Sequence, residues 1–442
     1  MRARDRYVSE KVATSPGTNG HTRMIPGTQS PSPGTVSWGV DTKPTLGKTE
    51  MRRSIKLTSK TKFDVGEDKP LRSMLAVIDV AHVPTGCATW PAFWMANENS
   101  WPKYGEIDII EATNLDAHAS TTLHTCGPAA AQADDATIKA HCRGASNCTM
   151  VDVPKDIFTG SWNRGEKVAE ASDCDIQAKG QYSNQGCSIR GPDGTYGSQL
   201  NAENGGIFAT EWSMKDLSDK DADEGGDADL DPLDVPHIAT WFFPRKDLPL
   251  PDEMWGAQPD TKTWGKPYAY FRLGKENCDP SHFSNQQIIF DTTLCGDDAG
   301  NKWGSSGCAA RYGKGGTDKK DCEAFVRENG GNFTEAYWEV YNVSVWGVKT
   351  GIQPKPAPHP GSPTVEIGKY AIIAAVVIGV CIVGMCGWKC WIDSRESEFD
   401  RVGRRAENKA RLNDTSGWEY SHEKQAAGRY GELQRSSLLL LS

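Results

Sequence analysis

The sequence has no surplus of basic residues. Lysine and arginine together number 49 against 58 aspartate and glutamate residues, which gives a formal charge of −9 at pH 7 over 442 residues. Proteins that bind nucleic acids need a basic surface to neutralise phosphates. The balance therefore argues against a nucleic-acid partner and favours a neutral or weakly charged ligand.

The sequence also lacks the spacings of a metal site. Thirteen cysteines are present, and the ten that lie between Cys87 and Cys322 do not show zinc-ligand spacing. The acidic stretch Asp216–Asp234 is not an EF-hand, because Glu224 stands where that loop needs glycine. We interpret this stretch as a solvated loop. We expect no metal and no cofactor.

Ten cysteines in one span allow up to five disulfides, which are typical of exported proteins. Buried reduced cysteines of a cytosolic protein are the alternative. Three N-x-S/T sequons in the same span favour export: Asn147, Asn332 and Asn342. Met1–Gly20 nevertheless has no apolar signal-peptide segment. Either a C-terminal helix alone directs export, or the sequence lacks its true beginning, which is the expectation we adopt for residues 1–35.

A single long apolar run, Tyr370–Trp388, contains no charged residue and has the length that a helix needs to cross a bilayer. We predict a transmembrane helix over 370–391; a buried core helix is the alternative, but it would carry polar residues on one face. Basic residues follow the run, so the tail 392–442 is predicted to be cytoplasmic and disordered. Residues 350–369 form a proline-rich stalk. These features predict a single-pass protein of the cell membrane with its large domain outside.

Long amphipathic helices are absent from residues 36–349, the predicted catalytic domain. Short alternating or β-branched runs fill this region instead and are separated by Gly, Pro and Asn loops. The pattern predicts an all-β sandwich or jelly roll of two antiparallel sheets. The strand segments are Ser54–Leu57, Met74–Val80, Ile107–Ile110, Ser120–Thr125, Ile238–Phe243, Gln287–Phe290 and Trp338–Val348.

The most informative segment is Glu-Ile-Asp-Ile-Ile-Glu, which begins at Glu106. In a regular strand Glu106 and Asp108 share one face, whereas Glu111 points to the other. A β-bulge near Ile109 and Ile110 would turn all three acids to the same side. The outer Cα atoms then lie about 13 Å apart, a gap that two glutamates can close to the roughly 5 Å carboxyl separation of a retaining glycosidase.

Three acids on one strand face repel one another, which raises the pKa of at least one of them. One glutamate can then stay ionised as nucleophile while the other is protonated as general acid, and Asp108 can tune its neighbour. A solvated edge strand of alternating acids is the alternative for this hexapeptide alone.

Nearby aromatic residues favour the catalytic interpretation, because indole rings stack on the apolar faces of sugars. Trp90, Trp94 and Trp101 are candidates for substrate binding, as is Trp241 farther along the chain. His124 alternates with Thr122 and could hydrogen-bond the acids.

With the run Gly-Cys-Ala-Thr-Trp-Pro-Ala-Phe-Trp that ends at Trp94, the acidic segment resembles glycoside hydrolase family 16, in particular its eukaryotic endo-1,3(4)-β-glucanases and laminarinases. The resemblance covers about Tyr7–Trp346. Further similar motifs begin at Asn184, Gly205, Trp241, Ser281, Ile289 and Glu335.

The resemblance implies a β-jelly roll with a concave glucan cleft. It also implies Glu106 as nucleophile, Asp108 as its assistant and Glu111 as acid/base, in a retaining mechanism without a catalytic metal. Family domains begin some tens of residues before the point that matches Tyr7, which supports the expected truncation.

We therefore expect a cell-surface endo-hydrolase of β-1,3- or mixed β-1,3/1,4-glucan. A glucan transglycosylase that remodels the cell wall would use the same residues. A non-catalytic glucan receptor is a third hypothesis, but it predicts loss of a catalytic glutamate, and both are present. The sequence leaves the oligomeric state open.

Overall fold

The structure is a computed structural model that describes residues 34–165, 169–214, 231–247, 250–251, 253–257, 259–313 and 316–350, together with the backbone of 5–7 and 433–438. The predicted transmembrane helix 370–391 and the stalk beyond Thr350 lie outside these residues. Within the described part of the chain, no helix is both long and apolar enough to span a bilayer.

Two antiparallel sheets form the body of the protein. The front sheet contains seven described strands in the order β4 (Leu57–Thr58), β14 (Gln287–Leu294), β6 (Thr89–Ala96), β7 (Glu106–Glu111), β8 (Ser120–His124), β10 (Cys187–Arg190) and β9 (Ser161–Trp162). The back sheet runs β13 (Ala269–Arg272), β12 (His237–Pro244), β11 (Gly206–Ser213), β5 (Leu71–His82), β15 (Tyr337–Lys349) and β16 (Leu433–Leu438), and β2 (Val36–Gly39) also pairs with β15. This architecture confirms the all-β, two-sheet part of the predicted fold class.

A small parallel pair flanks the sheets. It joins β1 (Asp5–Tyr7) to β3 (Arg52–Ser54). The described helices are short: α1 (Ala136–His141), α2 (Gly197–Ala202), α3 (Cys308–Tyr312) and α4 (Lys319–Glu328).

The core lies between the front and back sheets, because each sheet buries one face of alternating apolar residues. Phe93 and Ile107 of the front sheet and Ile78 and Phe208 of the back sheet are at most 1% exposed. They belong to one apolar cluster. Burial of this kind stabilises a fold by about 25 cal/mol for each Å² of apolar surface, so the sandwich is a rigid support for the strands of the front sheet.

All ten cysteines of the globular region form disulfides, as their even number predicts. The pairs are Cys87–Cys308, Cys126–Cys142, Cys148–Cys278, Cys174–Cys187 and Cys295–Cys322. Two of them, Cys87–Cys308 and Cys295–Cys322, enclose a small second apolar cluster around Trp303. The loop between β14 and α3 is thereby fastened beside β6.

The C-terminal tail differs in one place from the sequence prediction. Residues 433–438 form β16, which pairs antiparallel with Val343–Val348 of β15, whereas the sequence predicts disorder throughout 392–442. The segment Leu433–Leu438 begins and ends with leucine, and the edge of β15 that faces away from β5 offers it backbone groups to pair with. The rest of the tail lies outside the described residues.

Candidate active site

Strand β7 lies in the middle of the front sheet, between β6 and β8. Gly105 precedes it with φ +67°, and a Cβ at this position would lie 2.6 Å from the carbonyl oxygen of His282. Only glycine combines this backbone conformation with so close an approach. The turn fixes where the strand begins, and Glu106 is its first residue.

The predicted β-bulge is present in β7. Towards β6, Ile110 pairs with Phe93 and Asp108 pairs with Trp94, which leaves Ile109 without a partner. Towards β8, the register jumps between Asp108 and Glu111. The extra residue shifts the side-chain alternation by one. It therefore brings Glu106, Asp108 and Glu111 to one face of the sheet.

The isoleucines of the strand face the opposite way, as expected. Ile107, Ile109 and Ile110 are 1%, 0% and 0% exposed, and all three lie in the main core. The acids thus stand on the outer face of the front sheet, while the bulge itself is embedded in the sandwich.

The pKa values of all three acids are raised. For Glu106 burial is the main cause and Asp108 the next, and together they hold its pKa well above the usual range. For Asp108, which is 1% exposed, burial and then the charge of Glu111 raise the pKa well above its usual range, although a hydrogen bond with Glu106 opposes them. For Glu111 burial and the nearby Asp298 raise the pKa. The predicted repulsion is therefore present, and it favours protons shared among the three carboxyls.

His124 lies opposite Glu106 on β8 and is 5% exposed. Its Nε2 atom is 3.1 Å from Oδ2 of Asp108. The expected proximity of this histidine to the acids is thus observed. Because His124 favours a negative charge on its neighbours, it lowers the pKa of both Glu106 and Glu111 and partly offsets their burial.

Glu106, Asp108 and His124 could also ligate a divalent cation, since each offers a donor atom within 4.8 Å of the others. A carboxylate and imidazole set of this kind suits zinc or another transition metal. Acid–base chemistry between paired carboxyls explains the presence of the same three residues equally well.

Trp90 contacts the acid pair directly. Its indole N–H donates a 2.7 Å hydrogen bond to Oε1 of Glu111. The far edge of the ring lies against Gly296, where a Cβ would come within 2.9 Å of Cζ3. The sequence predicts Trp90 as a sugar-stacking residue, but the structure places it where it also orients a carboxyl.

Trp94 and Trp101 lie near the first half of β7. Trp94 pairs with Asp108, and the ammonium of Lys56 is 5.1 Å from its ring centroid. The Trp101 indole lies beside Glu106 and lowers the pKa of that carboxyl, although the contact does not have the geometry of a full hydrogen bond. Both indoles therefore flank the acids and remain candidates for sugar contact.

Trp241 does not belong to this site, and its assignment to the cleft is wrong. It lies on β12 in the back sheet, is 2% exposed and donates its indole N–H to the carbonyl of Gly265 at 2.9 Å. The Trp264 ring packs against it edge to face. Trp241 pairs with Ala209, so it stands on the face opposite to Phe208, whose ring packs against Tyr268 inside the sandwich.

Several polar residues of the site come from strands that the sequence analysis did not connect. Thr122 on β8 hydrogen-bonds Ser188 on β10 at 2.8 Å, and Asn163 donates to both Ser188 and Ser120. These side chains share a sheet face with Glu111, which pairs with Ser120. The alternation of Ser120, Thr122 and His124 was the only local indication of this polar surface.

Two further carboxylates approach the acids. Asp291 on β14 raises the pKa of Asp108, and Asp298 raises that of Glu111. The Asp298 carboxylate also accepts a 2.8 Å salt bridge from Lys302. Asp298 and Lys302 belong to the disulfide-fastened loop, so the electrostatics of Glu111 depend on a segment nearly 190 residues away in the chain.

A sandwich whose front sheet presents two glutamates and an aspartate on a bulged strand, beside indole rings, is the arrangement of a glycosidase-type enzyme. Sequence comparison agrees: residues 6–153, 129–218 and 222–346 match the XgeA-like catalytic domain of glycoside hydrolase family 16. The protein belongs to this family.

The chain is similar to fungal proteins of the same family. It is 33% identical over 315 residues to an endo-1,3(4)-β-glucanase of Arthroderma benhamiae, a match that covers 70% of this chain and 54% of that protein. A probable glycosidase of Schizosaccharomyces pombe is 32% identical over 297 residues, which cover 67% and 54% of the two chains. The chain thus spans about half the length of the curated relatives it matches.

Two solved structures share the fold. One is an elongating family 16 β-1,3-glucosyltransferase, with 29% identity, a TM-score of 0.55 and coverage of 76% of this chain and 89% of the other. The second is Laminarinase 16A from Phanerochaete chrysosporium with β-glucans in donor and acceptor sites, with 28% identity, a TM-score of 0.55 and coverage of 78% and 90%.

Proposed function

We propose that the protein is a retaining endo-hydrolase of β-1,3- or mixed β-1,3/1,4-glucan. The observation that carries the proposal is the bulge in β7, which brings Glu106, Asp108 and Glu111 to one sheet face. The names of its fungal relatives support glucan as the substrate. Of the two glutamates, Glu106 acts as nucleophile and Glu111 as acid and then base.

The contacts of the site fit these roles. Glu106 is the hydrogen-bond partner of Asp108, so the two carboxyls can share one proton, and transfer of this proton to Asp108 would leave Glu106 ionised as the nucleophile. Glu111 accepts from Trp90, which orients its carboxyl towards a leaving oxygen. Trp94 and Trp101 offer rings beside the acids for stacking on glucose units.

Transglycosylation is the second candidate, because a covalent glycosyl-enzyme can transfer its sugar to a second glucan as well as to water. The similarity to an elongating glucosyltransferase gives this alternative specific support. The two functions share the first chemical step and differ only in the acceptor. Residues 106–124 alone cannot separate them, since these residues act on the donor.

Product analysis with the whole chain of 442 residues separates the candidates. On laminarin and lichenan, we expect reducing ends to accumulate while chain length falls steeply, and the first products to be β-anomers by proton NMR. Added laminaritetraose should change this little. Products longer than the donor at constant reducing-end content would make the protein a transglycosylase, and an unchanged substrate would refute both functions.

We also propose that residues 370–391 anchor the protein in the cell membrane, with the glucan-cleaving domain outside. The support is the uncharged run Tyr370–Trp388 and the basic residues that follow it. Strand β16 bears on this topology, because its pairing with β15 requires 433–438 to be on the same side as the front and back sheets. A spanning helix would place 433–438 on the other side of the membrane, so the membrane anchor and the β16 pairing are alternative arrangements of the tail.

Protease protection of a C-terminal epitope decides between these arrangements. In intact cells we expect the epitope to be protected from added protease, and the protein to stay in the membrane pellet after alkaline carbonate extraction. Cleavage of the epitope on intact cells would instead place the tail on the same side of the membrane as the front and back sheets, as the β16 pairing requires, and would contradict the membrane topology.

A further inference from the structure

The bulge that aligns the acids has a buried carbonyl with unusual partners. Ile109 is the extra residue of β7, so its backbone groups fall outside the regular ladder. Its carbonyl oxygen is 3.1 Å from Oγ1 of Thr121 and 3.2 Å from the hydroxyl of Tyr268. Ile109 itself is 0% exposed. Water therefore cannot replace these hydroxyls, and a carbonyl without them would be buried and unsatisfied.

The two hydroxyls also contact each other, at 2.6 Å. Each carries one hydrogen, so two of the three contacts can be hydrogen bonds at one time. In every such arrangement at least one hydrogen bond ends on the Ile109 carbonyl. Burial raises the pKa of Tyr268, so this hydroxyl keeps its hydrogen at all working pH values.

The two partners come from different sheets. Thr121 lies on β8, at the register position where two residues of β7 oppose one. Tyr268 directly precedes β13 of the back sheet, and its own backbone is fixed because its N–H donates to Thr240 and its carbonyl accepts from Gly160. The triad of Ile109, Thr121 and Tyr268, which we term the bulge clamp, thus ties the catalytic strand to the opposite sheet.

We infer that Thr121 and Tyr268 are positioning residues, whose hydroxyls hold the β7 bulge in the register that keeps Glu111 beside Glu106. The inference rests on the proposed glycosidase function for its kinetic consequences, but its structural statement concerns the strand alone. Without the clamp, the Ile109 carbonyl would be buried and unsatisfied, which would favour a regular strand without the bulge. A shift of one residue would then turn Glu111 towards the core. Neither hydroxyl reaches the substrate face, since Tyr268 is 2% and Thr121 0% exposed.

The test compares Tyr268→Phe, Thr121→Val and the double variant with Tyr270→Phe. Tyr270 is a matched control, because it lies two residues away, is 1% exposed and donates its hydroxyl to a backbone carbonyl, that of Pro232, at 2.6 Å. Each tyrosine variant loses the one hydrogen bond that its hydroxyl can donate. Similar losses of melting temperature are therefore expected for the two.

The catalytic constants should distinguish the clamp variants from Tyr270→Phe. We expect the double variant to lose kcat on laminarin by about 10- to 100-fold with KM within about twofold, since a small misplacement of a reacting group has effects of this size. A Tyr268→Phe/Thr121→Ser variant keeps a hydroxyl at position 121 and should therefore retain most of the kcat that the Tyr268→Phe/Thr121→Val variant loses. The pH profile of activity should change in the double variant, because the distances from Glu111 to Asp108 and Asp298 change. The profile of Tyr270→Phe should stay that of the wild type.

A double variant with the kcat and pH profile of Tyr270→Phe would overturn the inference, as would a loss confined to KM. If the double variant does not fold, the single variants and the serine rescue decide the same question. If the parent protein cleaves no glucan, the proposed function has failed separately, and a crystal structure of the double variant then decides. An unchanged Ile109 carbonyl and Glu111 position would refute the clamp, whereas a regular strand without the bulge would support it.

Discussion

Replacing Glu106 by glutamine is expected to lower kcat on laminarin by roughly 10⁴-fold, because the amide can neither attack the anomeric carbon nor form the covalent glycosyl-enzyme. Glutamine keeps the shape of the side chain. The contacts of Glu106 with Trp101 and Asp108 therefore stay possible, and substrate binding should change little. Initial rates over a range of laminarin concentrations measure kcat and KM separately.

Stability provides the control for this variant. The pKa of Glu106 is raised in the folded protein above an unfolded value of about 4.5. The folded state therefore holds the proton more tightly, and the wild type loses stability as pH rises from that unfolded value towards the folded one. Each unit of the raised pKa corresponds to about 1.4 kcal/mol. Glu106→Gln should consequently melt at a higher temperature than the wild type at pH 7, and the difference should vanish below about pH 4.

A small nucleophile should identify the missing function. With Glu106→Gly and an activated aryl β-glucoside, added azide can enter the vacated space and attack the anomeric carbon from the side of the nucleophile. The expected product is the α-glucosyl azide. Full activity of Glu106→Gln, or azide rescue at Glu111 with inverted product instead, would show that the nucleophile is wrongly assigned.

The alignment of the acids could be predicted from the sequence because it depends on local counting. Glu106 and Glu111 are five residues apart, an odd number, and period-two alternation puts such residues on opposite faces. A common face requires one additional residue, and the only positions between Asp108 and Glu111 are Ile109 and Ile110. The structure places the extra residue at Ile109.

The neighbours of the acids could not be predicted in the same way, because they depend on which strands become adjacent. Ser188 and Asp291 reach the site from β10 and β14, which join the front sheet from distant parts of the chain. No local sequence pattern indicates that β10 pairs with β8. Nor does one indicate that Asp298 lies close to Glu111 once two disulfides fasten its loop.

The wrong assignment of Trp241 to the cleft has the same cause. Its strand, β12, was predicted correctly as Ile238–Phe243, within the observed His237–Pro244. Sheet membership and facing direction, however, follow from the pairing of β12 with β11 and β13. An aromatic residue in an aromatic run is equally compatible with a cleft and with a back face covered by a loop, and only the pairing decides between them.

Strand β6 was absent from the predicted strand segments although its residues were singled out as a motif. Pro91 lies within Thr89–Ala96, and proline is normally confined to edges and strand ends because it lacks a donor. In the structure Pro91 is the third residue of the strand and pairs with Thr292 of β14. Trp90 and Trp94 then flank the acids because β6 neighbours β7, which the sequence alone did not indicate.

Replacing Glu111 by glutamine is expected to lower kcat on laminarin by about 10²- to 10⁴-fold, the usual contribution of a general acid and base. The natural leaving group is a sugar hydroxyl, which needs a proton to depart. A dinitrophenyl leaving group needs none, so formation of the glycosyl-enzyme from an activated aryl β-glucoside should be nearly unaffected. A burst of dinitrophenol followed by slow turnover is the expected time course, since water then lacks its base.

Trp90→Phe provides a control on the same carboxyl, because it keeps an aromatic ring but removes the N–H that donates to Glu111, together with part of the indole that packs against Gly296. This hydrogen bond lowers the pKa of Glu111, so its loss should raise that pKa further. A group that must be protonated to act then stays active to higher pH. The alkaline limb of the laminarin pH profile should therefore move upward in Trp90→Phe and disappear in Glu111→Gln. If Glu111→Gln keeps the wild-type alkaline limb, or loses as much activity on the aryl glucoside as on laminarin, another group donates the proton and the assigned roles of the two glutamates are wrong.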